Sequence, residues 1–180
     1  MLMAPATKVW TLEELHSLPD DGNKYELVRG ELFVTPPATF DHETIGARLH
    51  RLIDPYVATL GLLIYRPRSV VRFEGSEVEP DLMVRANRKG IGNAWETAPI
   101  PILIVEVLSP STRRRDFEQK REFYMDVGVE EYWIVDPERR TITSIRRDRA
   151  DVTAHDRLSW FPAGASASLD ISVAEVFGDV

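Results

Sequence analysis

The sequence of 180 residues contains no cysteine. Disulfide staples and thiol nucleophiles are therefore excluded, and any metal site has to be built from oxygen or histidine ligands. No apolar run approaches the roughly 18 residues of a membrane helix. The first ten residues, MLMAPATKVW, lack the long apolar core of a signal peptide, so a cytoplasmic protein with no membrane contact is expected. A basic excess is missing too. Lys and Arg number 22 against 29 Asp and Glu, a net charge of −7, and bulk charge gives no support to nucleic-acid binding. Internal repeats and low-complexity segments are absent. Hydrophobic residues make up 43%, which suits one domain over residues 1–180 with a core of its own.

What is present is organised around residues 101–137, PILIVEVLSPSTRRRDFEQKREFYMDVGVEEYWIVDP. Ile102 to Val105 are apolar at four successive positions, the signature of a strand buried on both faces. Glu106 stands where this run ends. Ser109-Pro110-Ser111-Thr112 breaks the strand, and an amphipathic helix follows with Phe117, Tyr124 and Val127 on one side. Gly128 stops the helix at the position that favours a left-handed cap. Residues 130–135 then read as a second strand, closed by Asp136-Pro137. Strand, helix and strand at this length form a crossover unit with parallel strands.

A carboxylate at the end of a buried strand has to be met by a cation or a donor, and ligands of open α/β sheets gather at such strand ends. If the helix starts near Arg113, Lys120 lies seven residues in, roughly 10 Å at the helical rise. Glu106 lies three residues back from Ser109, also roughly 10 Å at the strand rise. A helix folding back along its strand sets Lys120 beside Glu106, with Asp116 and Tyr124 on the same helical face at i−4 and i+4. The bland alternative is a solvated lysine paired with Asp116.

Elsewhere, Thr11 and Glu14 form a capping box for a short helix through about Ser17. Residues 25–28 and 31–34 read as a hairpin around Arg29-Gly30. From about Asp41 an apolar stripe of Ile45, Leu49, Leu52, Ile53, Tyr56, Val57 and Leu60 marks a helix, in which Pro55 predicts a kink or an early stop. Strands are expected over 62–65, 69–73 and 77–84, then a polar loop over 87–99 that includes Trp95. Residues 141–147 pair with the preceding strand. Residues 148–180 read as loop-rich, ending in a short helix capped by Ser172 and Glu175. The order makes an α/β protein with a mixed sheet.

Asp81 follows Pro80, and Glu106 comes 25 residues later on the next major strand. Two carboxylates at adjacent strand ends form a hard oxygen site suited to magnesium or manganese. One ammonium added to them matches metal-assisted phosphoryl chemistry. Glu79-Pro80-Asp81, Ile104-Val-Glu106-Val-Leu-Ser109, Asp116, Lys120, Tyr124, Gly128-Val129 and Glu131-Tyr-Trp-Ile-Val-Asp136-Pro137, with Tyr25-Glu-Leu-Val-Arg-Gly-Glu31-Leu and His42, resemble the bacterial restriction-endonuclease-like family of the PD-(D/E)xK nuclease superfamily. The resemblance covers nearly the whole chain. It implies a restriction-endonuclease-like mixed central sheet flanked by helices, with an N-terminal β-hairpin, and divalent-metal-dependent cleavage of DNA. Asp81 and Glu106 would be the ligands of Mg2+ or Mn2+ and Lys120 the catalytic ammonium. The superfamily's lysine two residues after the glutamate is replaced here by Leu108, and the helix lysine stands in for it. Glu31 matches a further acidic residue of the family, with a local hairpin role as its alternative. His42, Tyr124 and Arg113 are candidates for positioning phosphate or water, although for His42 a structural group in a first helical turn is the preferred reading. Glu26 and Glu79 read as structural, and Asp136 as a turn former. Arginines 113–115 and 146, 147 and 149 offer a locally basic face or, equally, solvated helix and strand edges. Relatives of the fold pair as homodimers, one site per strand, and the same is expected here. The alternative to an enzyme is a degenerate nuclease fold that binds nucleic acid or a protein without cutting.

Overall fold

The structure is a computed structural model and describes residues 8–87, 94–110 and 112–180. Residues 88–93 of the expected polar loop and Ser111 of the strand-breaking motif lie outside the described residues. Helix α1 (Leu12–His16) carries the expected capping box: Thr11 accepts from the Glu14 amide, and Glu14 reaches back to the Thr11 amide. Strands β1 (Lys24–Val28) and β2 (Glu31–Thr35) form the hairpin. Arg29 and Gly30 both take positive φ in its two-residue turn, as the twist of a hairpin requires. Helix α2 (Phe40–Thr59) runs past Pro55, so of the kink or early stop expected there the stop does not occur. The fully buried stripe of Ile45, Leu49, Ile53 and Val57 outweighs the one hydrogen bond that the proline removes.

Strands β3 (Leu62–Tyr65), β4 (Val71–Phe73), β5 (Ser76–Val78) and β6 (Leu82–Ala86) follow. The single strand expected over residues 77–84 is thus two strands in different sheets. Pro80, which has no N–H for a ladder, marks the crossing point. Strand β7 (Leu103–Val107) includes Glu106 within the ladder. After it, α3 (Arg113–Arg115), a π-helical stretch (Asp116–Lys120) and α4 (Arg121–Val127) continue as one helix. The Tyr132 hydroxyl donates to the Asp116 carbonyl at 3.2 Å, serving a backbone acceptor where the helix widens. Gly128 closes the helix at φ 91, in the left-handed conformation expected.

Strands β8 (Glu131–Asp136) and β9 (Thr141–Ile145) pair antiparallel as expected. The C-terminal stretch is more regular than its composition suggests, with β10 (Val152–Ala154), β11 (Arg157–Trp160), β12 (Leu169–Ser172) and α5 (Val173–Phe177). Leu158 and Trp160 alternate inward from β11 between exposed neighbours. Ser172 makes no side-chain capping bond to α5; the Val173 amide is served instead by the Asp156 carbonyl at 2.9 Å.

The main sheet has six strands in the order β10-β9-β8-β7-β6-β3. Within it β7 and β8 are parallel, the crossover read from the sequence, and the other pairings are antiparallel. A second, antiparallel sheet has the order β2-β1-β5-β4. Side-chain alternation divides the interior. Leu103, Val105 and Val107 pack with α2 and α5, whereas Ile104 and Leu108 pack with α4 and the second sheet. Glu106 shares the parity of Ile104 and Leu108 and so faces α4. No helix among the described residues is long and apolar enough to cross a membrane.

Candidate active site

The register of β6 on β7 pairs Leu82 with Val105 and Met83 with Ile104. Carried one residue further, it sets Asp81 beside Glu106, and the alternation that puts Met83 and Ile104 on the α4 side puts both carboxylates there. Asp81 Oδ2 accepts from the Val107 amide at 2.8 Å and lies 3.1 Å from His42 Nε2. The same His42 nitrogen is 3.1 Å from the Val107 carbonyl. Lys24 Nζ approaches Asp81 Oδ1 to 3.5 Å and donates to the Glu79 carbonyl at 3.1 Å.

Glu106 Oε1 accepts from Lys120 Nζ at 2.8 Å and from the Tyr124 hydroxyl at 2.6 Å. Equal climbs of strand and helix thus bring the two charges together. The Lys120 ammonium also meets Glu26 Oε1 at 2.8 Å and Asp116 Oδ1 at 3.8 Å, and it is completely enclosed. Glu26 in turn accepts from the Glu79 amide at 3.0 Å, and its Oε2 lies 3.5 Å from the Arg115 guanidinium. A pocket of about 900 Å3 opens onto Lys24, His42, Asp81, Glu106, Arg115 and Asp116.

Five carboxylates, Glu26, Glu79, Asp81, Glu106 and Asp116, therefore share this region with three permanent cations, Lys24, Arg115 and Lys120. Their proton affinities divide. Burial pushes Glu106 up to about 7, against the pull of Lys120. Burial likewise raises Glu79 and Asp116. Burial also acts on Asp81, but Lys24 and His42 outweigh it and hold that carboxyl well below the usual range. Burial of Glu26 is outweighed by Lys120, Lys24 and Arg115, which hold it down to about 2. Asp81 and Glu106, on neighbouring strands, are thus shifted in opposite senses.

Other expected residues fall elsewhere. Glu31 is exposed, accepts from Gln119 Nε2 at 2.8 Å, and does not line the pocket. It belongs to β2, the edge of the second sheet, whereas Glu26 belongs to β1, which is covered on both sides, and Glu26 is the hairpin acid that reaches the cluster. Arg113 forks onto Asp136 at 2.8 and 2.9 Å and reaches Glu138 at 3.0 Å, away from the pocket. Asp136, opposed by burial but gripped by Arg113 and Arg139, is held at about 2 and also accepts from the Arg139 amide in its turn. The arginine clusters are largely neutralised: Arg114 meets Glu118 at 3.0 Å and Arg146 meets Asp148 at 3.2 Å. Arg115 is nearly buried and turned to Glu26. Trp95 packs edge-on against Tyr65.

Lys24 is absent from the candidates that the sequence offers, and Glu26 reads there as structural. Glu26 did carry a signal, a charge inside the apolar run of Tyr25 to Val28, the same anomaly that exposed Glu106. Lys24, beside a turn, carried none.

A mixed sheet with a parallel β7/β8 pair, a helix crossing between them and acids at the β6/β7 seam defines a restriction-endonuclease-like α/β protein. The chain belongs to the Uma2 family, described as "Putative restriction endonuclease", whose model matches residues 12–173. It is similar to the uncharacterized protein sll1609 of Synechocystis sp., 28% identical over 141 residues that cover 76% of this chain and 80% of that protein. The crystal structure of a "putative nuclease belonging to DUF820" from Anabaena variabilis shares the fold, with a TM-score of 0.77 at 20% identity, over 93% of this chain and 97% of that one.

Proposed function

We propose that this protein is a divalent-cation-dependent endonuclease that hydrolyses phosphodiester bonds in DNA. The observation that carries the reading is the convergence of Asp81 and Glu106 on one pocket, with the enclosed Lys120 Nζ 2.8 Å from Glu106 Oε1 behind them. Asp81 and Glu106 are the residues that would hold Mg2+ or Mn2+. Among the described residues no cluster of three or more acids and histidines closes a metal site. Magnesium asks for less, being held by one or two carboxylates with water and substrate phosphate completing its shell. The donor set fits in a second respect: five carboxylates beside Lys24, Arg115 and Lys120 leave a local surplus of negative charge when all are ionised, which is what a divalent cation relieves. When bound, such an ion supplies a water of lowered pKa and charge against the developing phosphate.

The chain's own groups fix the carboxylates. Lys120 and Tyr124 both hold Glu106 Oε1, which leaves Oε2 to the pocket. The Val107 amide and His42 hold Asp81 Oδ2. Lys120, being enclosed, works through Glu106 and is a positioning residue. Leu108 lends the pocket an apolar wall.

Plasmid nicking at low salt with magnesium or manganese tests the reading. Wild type should nick, Asp81→Ala should not, and Lys120→Ala should lose most of the rate. A homodimer, seen as doubled mass in light scattering, would place one site on each strand. The complete enclosure of Lys120 favours one rival, a fold that binds nucleic acid without cutting it. No nicking by wild type, with magnesium binding intact, would favour that rival or a substrate other than plasmid DNA.

A further inference from the structure

Two ammonium groups stand beside the acids, and their surroundings differ. Lys120 is 0% exposed, with carboxylate oxygens at 2.8, 2.8 and 3.8 Å. An ammonium has three donors; here Glu26 and Glu106 stand at hydrogen-bond distance, Asp116 lies beyond it, and no part of the side chain reaches solvent. Lys24 borders the pocket and keeps 20% of its side chain exposed. It makes one hydrogen bond, to the Glu79 carbonyl at 3.1 Å, and its ion pair with Asp81 is loose at 3.5 Å, so donor capacity remains.

The pocket's other cations are placed differently, and Arg115, nearly buried, keeps an Nε without a hydrogen-bond partner. Arg115 donates to Thr35 Oγ1 at 3.0 Å and faces Glu26. His42 Nε2 is shared between Asp81 and Val107. Arg68 stands at the outer rim, 67% exposed and paired with Asp20. A phosphodiester oxygen brought to the Asp81–Glu106 seam has one adaptable ammonium to meet.

We propose that Lys24 is the cation that contacts the substrate phosphate, while Lys120 only positions Glu106. The inference rests on the nuclease reading and divides the ammonium's work between two lysines. Lys24 opens β1, whose inward acid Glu26 touches Lys120. One strand therefore places the substrate-facing lysine and braces the buried one.

The test is fluorescence anisotropy with a fluorescein-labelled DNA duplex, calcium replacing magnesium, titrated at several salt concentrations. Nicking in magnesium is measured alongside. Lys24→Gln keeps a donor for the Glu79 carbonyl and loses the charge; Lys24→Arg keeps both. A lysine that neutralises a phosphate contributes about one to the slope of log affinity against log salt. Lys24→Gln should therefore bind roughly tenfold more weakly at low salt, with a slope shallower by about one and a reduced kcat. Lys24→Arg should restore the slope. A folded Lys24→Gln with wild-type slope and wild-type nicking overturns the inference and leaves the nuclease reading intact. Wild type that binds through Lys24 but never nicks overturns the nuclease reading and leaves Lys24 as a phosphate contact. Wild type that neither binds nor nicks overturns both.

Discussion

Glu106 makes stability depend on pH in a direction opposite to that of an ordinary ion-paired carboxylate. Burial raises it from 4.5 to about 7, so between those values the folded protein holds a proton that the unfolded chain has released. Stability must then fall as pH rises through this window. The displacement corresponds to about 3 kcal/mol, against a total of roughly 5–15 kcal/mol for a domain. For a chain of this length that is roughly 6–12 °C in Tm. Glu79 and Asp116, raised by burial, act in the same sense. So does His42, whose raised value gives stability that is complete below its unfolded pKa and lost as pH climbs past its folded one. Asp81 and Glu26 are depressed and act oppositely, but their contribution is lost only as pH falls below the ordinary carboxylate range. A stability maximum near pH 5 is expected, with a decline toward pH 8. Thermal melts followed by circular dichroism at half-unit steps measure it directly. Glu106→Gln should flatten the decline while leaving the acid limb in place, whatever it does to the absolute Tm. Magnesium should raise Tm more at pH 8 than at pH 5, because a cation beside Glu106 favours its ionised form. A decline of unchanged slope in Glu106→Gln would refute the assignment of that proton to Glu106.

Lys120→Met leaves Glu26 and Glu106 buried without their shared cation. Unpairing a buried charge costs about 3–5 kcal/mol, so chemical denaturation at pH 7.5 should show a loss of that size, and the loss should shrink at pH 5, where Glu106 is protonated. Tyr124→Phe removes one of two donors to Glu106 Oε1 and should cost about 1.5–3 kcal/mol by the same method, with nicking reduced less than in Lys120→Ala.

The parts of this fold legible in the sequence are those fixed by local geometry. Glu106 stood out because a charge interrupted an apolar run, and Lys120 could be placed beside it because rises along a strand and a helix are constant. The hairpin and the Gly128 cap announced themselves through turn chemistry. What escaped depended on contacts distant in sequence. That β1 is covered and β2 is an edge follows from β5 pairing with β1, and this pairing decides between Glu26 and Glu31 as the acid at the site. The π-helical stretch coincides with a hydroxyl from Tyr132 on the next strand. The break between β5 and β6 had a local cause in Pro80, but nothing local revealed that the two pieces join different sheets.

Leu108 shows why the ammonium comes from a helix. It lies two residues after Glu106 on the same side of the sheet, but it is 4% exposed and belongs to the apolar cluster with Ile104, Phe123 and Tyr132. A lysine there would have to give up that packing or bury its stem within it. Approaching from the helix above, Lys120 reaches Glu106 across the sheet face and leaves the end of β7 apolar. The consequence is that Lys120 is bound into the core by three carboxylates and cannot be lost without loss of stability. Charge that must yield to a substrate has to come from a residue less deeply held. Lys24, with its one hydrogen bond and loose ion pair, is such a residue, so changes at position 24 should alter substrate handling at a smaller cost in stability than changes at position 120, which remove the cation closest to two buried carboxylates.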